Sequence, residues 1–137
     1  MHSAFCGGLH LSLMFVFVTM AASSQDLSLY EKKSFKSSDG FNIPYRILYP
    51  DNYEAKKKYP LILVLHGAGE RGSDNEKQLV HGSKLFLDSA VRKKYDAIVL
   101  FPQCPENSYW SSVTIDRNET PLALKFDYTR PITRPLQ

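Results

Sequence analysis

Cysteine and strongly patterned charge are both scarce in this sequence. Two cysteines among 137 residues cannot form a disulfide scaffold. The formal net charge is only +3, and the one triple of basic residues, Lys56-Lys57-Lys58, is typical of a solvated loop. We therefore expect no nucleic-acid partner. The histidines and carboxylates fit neither H-E-x-x-H nor a closed zinc spacing, so we expect no metal site.

Charged side chains are also absent from the first 25 residues. An apolar stretch over residues 9–20 is followed there by the small residues 21–24. This order predicts a secretory signal peptide over residues 1–24, cleaved within 21–25, and a secreted or periplasmic protein. A retained anchor and a buried helix are the alternatives. The apolar stretch is shorter than the about 20 residues that cross a bilayer, so we expect no stable membrane span after signal removal.

Removal of the signal would leave residues 25–137 as the mature domain, with Cys104 as its one cysteine. Cys6 would be lost with the signal, so the mature domain would form no intrachain disulfide. No histidine follows Cys104 in the sequence. We therefore expect Cys104 to be a packed residue and not a nucleophile.

An antiparallel hairpin is predicted near the start of this domain. Apolar and polar residues alternate over 41–49, as in a strand with one buried face. Asp39-Gly40 is a hairpin turn signal that pairs this strand with residues 31–36. Pro44 lacks a backbone N–H and therefore places the ribbon toward a sheet edge.

Two short runs without alternation, 61–65 and 97–101, predict strands that are covered on both faces, as in parallel sheets. Apolar residues at helical spacing lie between them and predict a helix over roughly 76–94, broken at Gly82. The fold class is therefore α/β, with an antiparallel hairpin followed by strand–helix–strand of a mainly parallel sheet.

Prolines interrupt the sequence after residue 102, and we predict no regular helix or strand over 102–135. Residues 132–137 have the pattern of a first helical turn. The strand at 97–101 would then lie at an open sheet edge, without a further parallel neighbour. Apolar edges of that kind promote aggregation, so we expect poor solubility.

The candidate functional residues form one loop, His66 to Asn75, directly after the first buried strand. Open α/β sheets bind ligands at the carboxyl ends of their strands. Glycine-rich loops at this position supply backbone N–H donors to the oxyanion of acyl-transfer reactions. The loop therefore fits an oxyanion loop.

A phosphate cradle is the alternative, because Gly67, Gly69 and Gly72 satisfy G-x-G-x-x-G. The dinucleotide fingerprint also needs an immediate helix and an acidic residue at the end of the next strand. Here residues 73–75 delay the helix, and Asp88 lies inside a helical segment. We therefore expect no nucleotide cofactor, and no other cofactor.

A family resemblance supports the oxyanion interpretation. The secreted α/β-hydrolase esterases are similar to this sequence in Tyr59-Pro60-Leu61-Ile62-Leu63-Val64-Leu65-His66-Gly67-Ala68-Gly69-Glu70-Arg71-Gly72, with Asp74-Asn75-Glu76, Gln78-Leu79, His81-Gly82, Phe101-Pro102-Gln103-Cys104-Pro105 and Trp110. These are related to poly(3-hydroxybutyrate) depolymerases, feruloyl-type esterases, dienelactone hydrolases and prolyl oligopeptidases. The resemblance covers about residues 30–137 and corresponds to the amino-terminal portion of the hydrolase fold.

The resemblance implies roles for individual residues. Ala68 and Gly69 would offer the backbone oxyanion donor, His66 and Gly67 would shape the loop, and Trp110 would lie near the acyl pocket. A plain packing residue is the alternative for Trp110. The loop also contains two charged residues, and a histidine follows it. Glu70 with Arg71 reads as a structural or solvated pair, and His81 as a surface or helix-end residue.

The rest of a serine esterase's machinery is missing from these 137 residues. The family needs G-x-S-x-G, then an acid, then a histidine, whereas this sequence has no G-x-S-x-G and its last histidine is His81. We therefore expect a chain truncated before the nucleophile elbow and inactive alone. The full-length protein would act on a small-molecule or polymer ester, with lipid, feruloyl-sugar, polyester and peptide substrates all open. A non-catalytic secreted binding module is the alternative function.

Overall fold

The computed structural model describes residues 26–137, so the predicted signal peptide and Cys6 lie outside the described residues. The elements are β1 (Glu31–Lys36), β2 (Asn42–Leu48), β3 (Leu61–Leu63), α1 (Ser83–Leu87), α2 (Ser89–Lys94), β4 (Ile98–Pro102), β5 (Val113–Asp116) and β6 (Ala123–Phe126). Short 3-10 turns cover Leu27–Leu29, Ala68–Glu70, Lys77–Leu79 and Arg134–Leu136. Within that part of the chain, no helix has the length and apolarity to cross a membrane.

Strands β1 and β2 form the predicted antiparallel hairpin, with Lys36 opposite Asn42 and Glu31 opposite Ile47. The ribbon lies at the sheet edge, as predicted, and β1 is its outer strand. Pro44 lies on the inner strand, where its carbonyl accepts a hydrogen bond of 2.9 Å from the Gln103 N–H. This bond extends the pairing between β2 and the chain that follows β4.

The main sheet has the strand order β1-β2-β4-β3. Strand β4 pairs antiparallel with β2 and parallel with β3. The prediction that the run 97–101 lies at an open edge is therefore wrong, and the edge is formed by β3. The reason is that the chain leaving β2 passes over one strand position before it enters β3, and β4 fills the position left between them.

One face of this sheet is covered and forms the core. Its buried members are Tyr30, Leu48, Leu79, Val99 and Phe101, against which Ile62, Val64, Phe86 and Leu87 pack. The Phe101 ring meets the Tyr30 ring edge-on at a centroid distance of 5.4 Å and the Phe86 ring at 6.0 Å. The helical segment therefore covers the sheet through its aromatic and aliphatic side chains.

The opposite face is largely open, so the prediction that both buried runs are covered on both faces is wrong. Leu61 is 62% exposed and Leu63 49% exposed on this face. In β2 both sides contribute buried residues: Arg46 and Leu48 are buried on the covered face, whereas on the other side Ile43 is buried and Tyr45 is only half-buried. Only one layer of helices packs on the sheet in the described chain, and on the second face only residues 135–137 lie along a shallow groove.

The predicted helix over 76–94 consists of several short pieces. Gly82 separates the Lys77–Leu79 turn from α1 and has a φ of +80°, a left-handed conformation that favours glycine. A further break at Asp88 separates α1 from α2, and the Asp88 carboxylate accepts the N–H groups of Ala90 and Val91 at the start of α2. The break at Gly82 is therefore confirmed, and the break at Asp88 is additional.

The segment after residue 102 is more regular than its prolines suggest. Strands β5 and β6 form a second antiparallel hairpin, with Val113 opposite Phe126 and Asp116 opposite Ala123. The prediction of no regular structure over 102–135 is therefore wrong. Both strands have only four residues, and β6 is exposed along its whole length. Because few of their side chains are buried, their sequences lack the alternation of apolar and polar residues that predicts a strand. Residues 132–137 do contain a single helical turn, at Arg134–Leu136.

Candidate active site

The loop at the carboxyl end of β3 leaves two backbone N–H groups free. Gly67 is extended, and the Ala68–Glu70 turn begins after it. The Glu70 N–H donates to the Gly67 carbonyl at 3.4 Å, so the N–H groups of Ala68 and Gly69 come before the first bond of the turn. Among the described residues neither N–H has a hydrogen-bond acceptor, and both residues are exposed. Two adjacent donors are therefore available to a ligand oxygen.

His66 connects this loop to the end of β4 through both of its ring nitrogens. Its Nε2 accepts the Cys104 N–H at 2.9 Å, and its Nδ1 lies 2.7 Å from the Gly67 carbonyl oxygen. A neutral ring with the proton on Nδ1 satisfies both contacts. Trp110 donates its indole N–H to the His66 carbonyl at 2.9 Å and packs against the imidazole edge-on. His66 and Trp110 therefore fix the first residues of the loop.

Arg71 holds the other end of the turn and is not paired with Glu70. Its guanidinium donates to the carbonyl oxygens of Ala68 at 2.9 Å, Glu106 at 2.9 Å and Ser108 at 3.0 Å. It also lies 4.2 Å from the centroid of the Tyr109 ring. The expected pairing of Glu70 with Arg71 is wrong, because Arg71 serves backbone carbonyls.

Glu70 faces His81 instead, with 3.5 Å between Oε1 and the His81 Nε2. The His81 side chain is 78% exposed, as expected for a surface residue. The nearby Ser83 is buried and donates to the Leu79 carbonyl. Glu70 and His81 therefore form an acid–base pair without a hydroxyl nucleophile among the described residues.

Gln103 is a site residue whose role the sequence does not predict. It is fully buried directly after β4, and its Nε2 donates to the Glu70 carbonyl at 3.1 Å and to Asp74 Oδ1 at 2.9 Å. Its Oε1 accepts the Asn75 N–H at 2.7 Å. A Cβ at Gly72, which has a φ of +151°, would lie 3.4 Å from the Gln103 amide nitrogen. The Gln103 side-chain amide therefore connects Glu70, Asp74 and Asn75 of the loop.

Cys104 is buried beside the same loop, as expected, and its carbonyl accepts the Gly72 N–H at 2.9 Å. Burial raises the pKa of its thiol. A thiol that is inaccessible and protonated is a poor nucleophile. Cys104 therefore supports the loop through its backbone.

Asp74 closes the loop at its carboxyl end. Its Oδ1 accepts the N–H groups of Lys77 at 3.0 Å and Glu76 at 2.8 Å in addition to the Gln103 amide. These bonds, with that of the Lys77 N–H first, hold the pKa of the Asp74 carboxyl well below its usual value. The charged form of Asp74 is therefore the form that the fold stabilises.

We expect the stability of the protein to depend on this carboxylate in acid. The pKa of the Asp74 carboxyl is lower in the folded protein than in the unfolded chain. The carboxylate therefore contributes fully to the unfolding free energy above its unfolded pKa of about 3.9. This contribution is lost as the pH falls through the pKa of the folded state. Asp74→Asn is expected to remove about 1 kcal/mol of unfolding free energy at pH 7, the usual size of a lost capping interaction, and to flatten the acid dependence. Urea unfolding between pH 7 and pH 2 measures both effects.

Asp116→Asn is the matched control, since Asp116 accepts a single N–H, that of Asn118, in an exposed turn. It is expected to leave the unfolding free energy at pH 7 nearly unchanged. An Asp74→Asn protein with the stability and acid profile of the parent contradicts this role for Asp74.

An open depression of about 690 Å³ lies on the carboxyl side of the loop. Its lining residues are Gly72, Ser73, Asp74, Lys77, Pro105, Glu106 and Asn107. Ala68, Gly69 and Trp110 do not line it. The described residues also contain no cluster of three or more metal-ligating side chains.

The dinucleotide interpretation of the loop does not fit the structure. The first α-helix after Gly67 begins only at Ser83, so no helix N-terminus follows the glycines directly. Asp88 caps α2 and does not lie at the end of a strand.

Comparison with known proteins points to esterases. A solved structure of a thermostable esterase matches the chain with a TM-score of 0.57 and 39% sequence identity, over 62% of this chain and 24% of that chain. The chain therefore shares a hydrolase-like fold with an esterase and spans about a quarter of that protein's length. The mixed sheet with its few helices is compatible with a partial α/β-hydrolase-like fold. No protein-family model and no curated protein matches the sequence.

Proposed function

We propose that this chain supplies the oxyanion-binding loop of a secreted serine esterase, with Ala68 and Gly69 as backbone donors. The observation that carries the proposal is the pair of free N–H groups at the carboxyl end of a parallel strand, in a chain that is 39% identical to an esterase over 62% of its length. The uncharged segment 1–25, with its apolar stretch, supports export of the protein.

The proposed chemistry is stabilisation of the negative charge that develops on the carbonyl oxygen of the ester. When a nucleophile attacks the carbonyl carbon, the carbonyl oxygen becomes an oxyanion, and preorganised N–H donors bind it more strongly than they bind the neutral ester. Removing one donor of this kind typically costs about 3–4 kcal/mol of transition-state stabilisation. The hydrogen bonds that Arg71 and Gln103 donate, and the one that His66 accepts from the Cys104 N–H, keep the loop in place before the charge develops.

The nucleophile, the acid and the general base are proposed to come from parts of the esterase domain other than these 137 residues. This assignment follows from the missing G-x-S-x-G motif and from the positions of the four histidines. The substrate class is a carboxylic ester, small or polymeric. The pockets that would select among such esters are not assigned to residues of this chain.

A chimera tests the oxyanion role. The matching segment of the thermostable esterase is replaced by the corresponding residues of this chain, and Ala68→Pro is introduced. Proline removes the Ala68 N–H, and it is tolerated there because Ala68 is the first residue of the turn and Gly67 before it is extended. We expect kcat for p-nitrophenyl acetate to fall about 10²–10³-fold with little change in KM.

Ala68→Ser is the matched control, because serine keeps the backbone N–H. It is expected to retain the kcat of the parent chimera. An Ala68→Pro chimera with parental kcat, or a folded parent chimera without activity, contradicts the proposed function.

A further inference from the structure

The hairpin of β5 and β6 forms a sheet of its own, apart from the four-stranded sheet that carries the candidate loop. Phe126 ends β6, and Tyr128 follows it two residues later. Side chains two residues apart in an extended chain point to the same side. The two rings are accordingly stacked, with their centroids 6.2 Å apart and an angle of 19° between their planes. The hairpin therefore presents two nearly parallel aromatic rings.

Both rings are open to solvent. Phe126 is 45% exposed and Tyr128 is 90% exposed. Because Tyr128 keeps nine tenths of its accessible surface, its stacking with Phe126 leaves the faces of the Tyr128 ring uncovered. Large aromatic side chains that are grouped and exposed in this way mark an interaction site.

The chain around Tyr128 is held by hydrogen bonds on both sides. The Asp127 N–H donates to the Ser112 carbonyl at 2.9 Å, which continues the pairing of β5 with β6. The Asp127 carboxylate accepts the Thr129 N–H at 3.0 Å and the Thr129 hydroxyl at 2.6 Å, and it pairs with Arg130 at 2.9 Å. A site that is ordered before its ligand arrives loses little conformational entropy on binding.

Polar side chains surround the rings. A depression of about 600 Å³ lies beside Phe126 and Tyr128. Its polar lining consists of Thr114, Lys125, Asp127, Thr129 and Arg130. These residues bring hydroxyl groups, an ammonium, a guanidinium and a carboxylate, so the rim can both donate and accept hydrogen bonds. The ligand of this site should therefore combine an apolar surface with many hydroxyl groups.

We propose that this hairpin is a carbohydrate-binding site, in which sugar rings stack on Tyr128 and Phe126 and their hydroxyl groups bond to the polar rim. A sugar ring has apolar C–H faces that pack on an aromatic ring, and hydroxyl groups around its edge. An acyl chain would bury the charged groups of the rim without partners, at a cost in free energy. The site shares no residue with the loop from His66 to Asn75, so it does not depend on the oxyanion role.

Affinity electrophoresis tests the proposal. The full chain is run in native gels that contain hydroxyethyl cellulose, arabinoxylan or galactomannan, and its mobility is compared with that in a gel without polysaccharide. We expect retardation in at least one of the three gels. Tyr128→Ala is expected to weaken the affinity about tenfold, the order of loss for an aromatic residue at the centre of a binding surface. Tyr128→Phe keeps the ring and is expected to retain most of the affinity.

Tyr95→Ala is the matched control. Tyr95 is 55% exposed, and the Lys94 ammonium lies 5.1 Å from the centroid of its ring. In the described part of the chain no second aromatic ring packs against it. This variant is expected to be retarded like the parent, and circular dichroism verifies that each variant is folded.

Three results overturn the proposal: no retardation in any of the three gels, undiminished retardation of Tyr128→Ala, or an equal loss in Tyr95→Ala. Flotation with phosphatidylcholine vesicles identifies the other kind of ligand. A chain that floats with the vesicles and is not retarded by the polysaccharides binds a lipid surface, which also overturns the proposal. Retardation that requires the Tyr128 ring supports it whether or not the chimera is active.

Discussion

Arg46→Ala is expected to lower the free energy of unfolding by about 3 kcal/mol, the lower end of the range for breaking a buried ion pair. Arg46 is 5% exposed and donates to the Tyr30 carbonyl at 2.8 Å, the Asn75 carbonyl at 2.7 Å and Glu76 Oε2 at 2.6 Å. The lower end applies because the Glu76 side chain is 55% exposed and water can solvate it. The two carbonyls lose their donor.

This loss is large for a small domain, whose total stability is about 5–15 kcal/mol. Urea unfolding followed by circular dichroism measures it, and the fluorescence of Trp110, the one tryptophan, reports on the loop in the same samples. Because Arg46 holds the backbone at Asn75, we expect the loop signal to change at lower urea than the signal from the sheet.

Lys57→Ala provides the comparison. Lys57 and Asp96 form an ion pair whose side chains are 51% and 53% exposed, so its loss is expected to cost at most about 1 kcal/mol. If Arg46→Ala costs no more than Lys57→Ala, the buried guanidinium does not stabilise the loop.

Local sequence signals predicted the amino-terminal hairpin closely. Alternation over 41–49 and the Asp39-Gly40 turn predicted the pairing with residues 31–36, which the structure has at Glu31–Lys36 and Asn42–Leu48. These signals are local because a hairpin connects neighbouring strands through a short turn. The order of the more distant strands has no such signal. An apolar run of five residues is compatible with a central strand and with an edge strand, so the exchange of β3 and β4 was not foreseeable from the sequence.

The sequence also does not predict which face of β2 is covered. The side of β2 that carries Ile43, Tyr45 and Ile47 is the more apolar, yet only Ile43 is buried there. Arg46 and Leu48 are buried on the core face. The reason is tertiary: the Arg46 guanidinium has acceptors on two distant segments, at Tyr30 and Asn75. Its burial is therefore possible only after those segments have packed.

The loop residues were predictable because they adjoin a strand and carry the glycines, whereas Gln103 was not. Gln103 is separated from the loop by about thirty residues of sequence, and its role depends on the position of β4 beside β3. A glutamine directly after a buried strand is the one signal that the sequence offers. That glutamine predicts a site residue only in combination with the rule that ligand-binding loops lie at the carboxyl ends of parallel strands.

The chain of 137 residues is expected to hydrolyse p-nitrophenyl acetate no faster than the uncatalysed background. Losing the nucleophile or the base of a serine hydrolase typically lowers kcat by about 10⁶, and the described residues assemble neither. Both ring nitrogens of His66 are engaged, by the Cys104 N–H and the Gly67 carbonyl. His81 has only the Glu70 carboxylate as a partner among the described residues.

The oxyanion donors alone do not compensate for this loss, because they stabilise an intermediate that forms only after a nucleophile has attacked. The measurement is initial-rate hydrolysis by the purified protein, with and without a fluorophosphonate, and the intact thermostable esterase is the positive control. Hydrolysis at the rate of a serine esterase, abolished by the fluorophosphonate, contradicts this expectation. It would mean that one of the chain's own serines is activated by His81 or His66, which requires His66 to give up at least one of its two bonds.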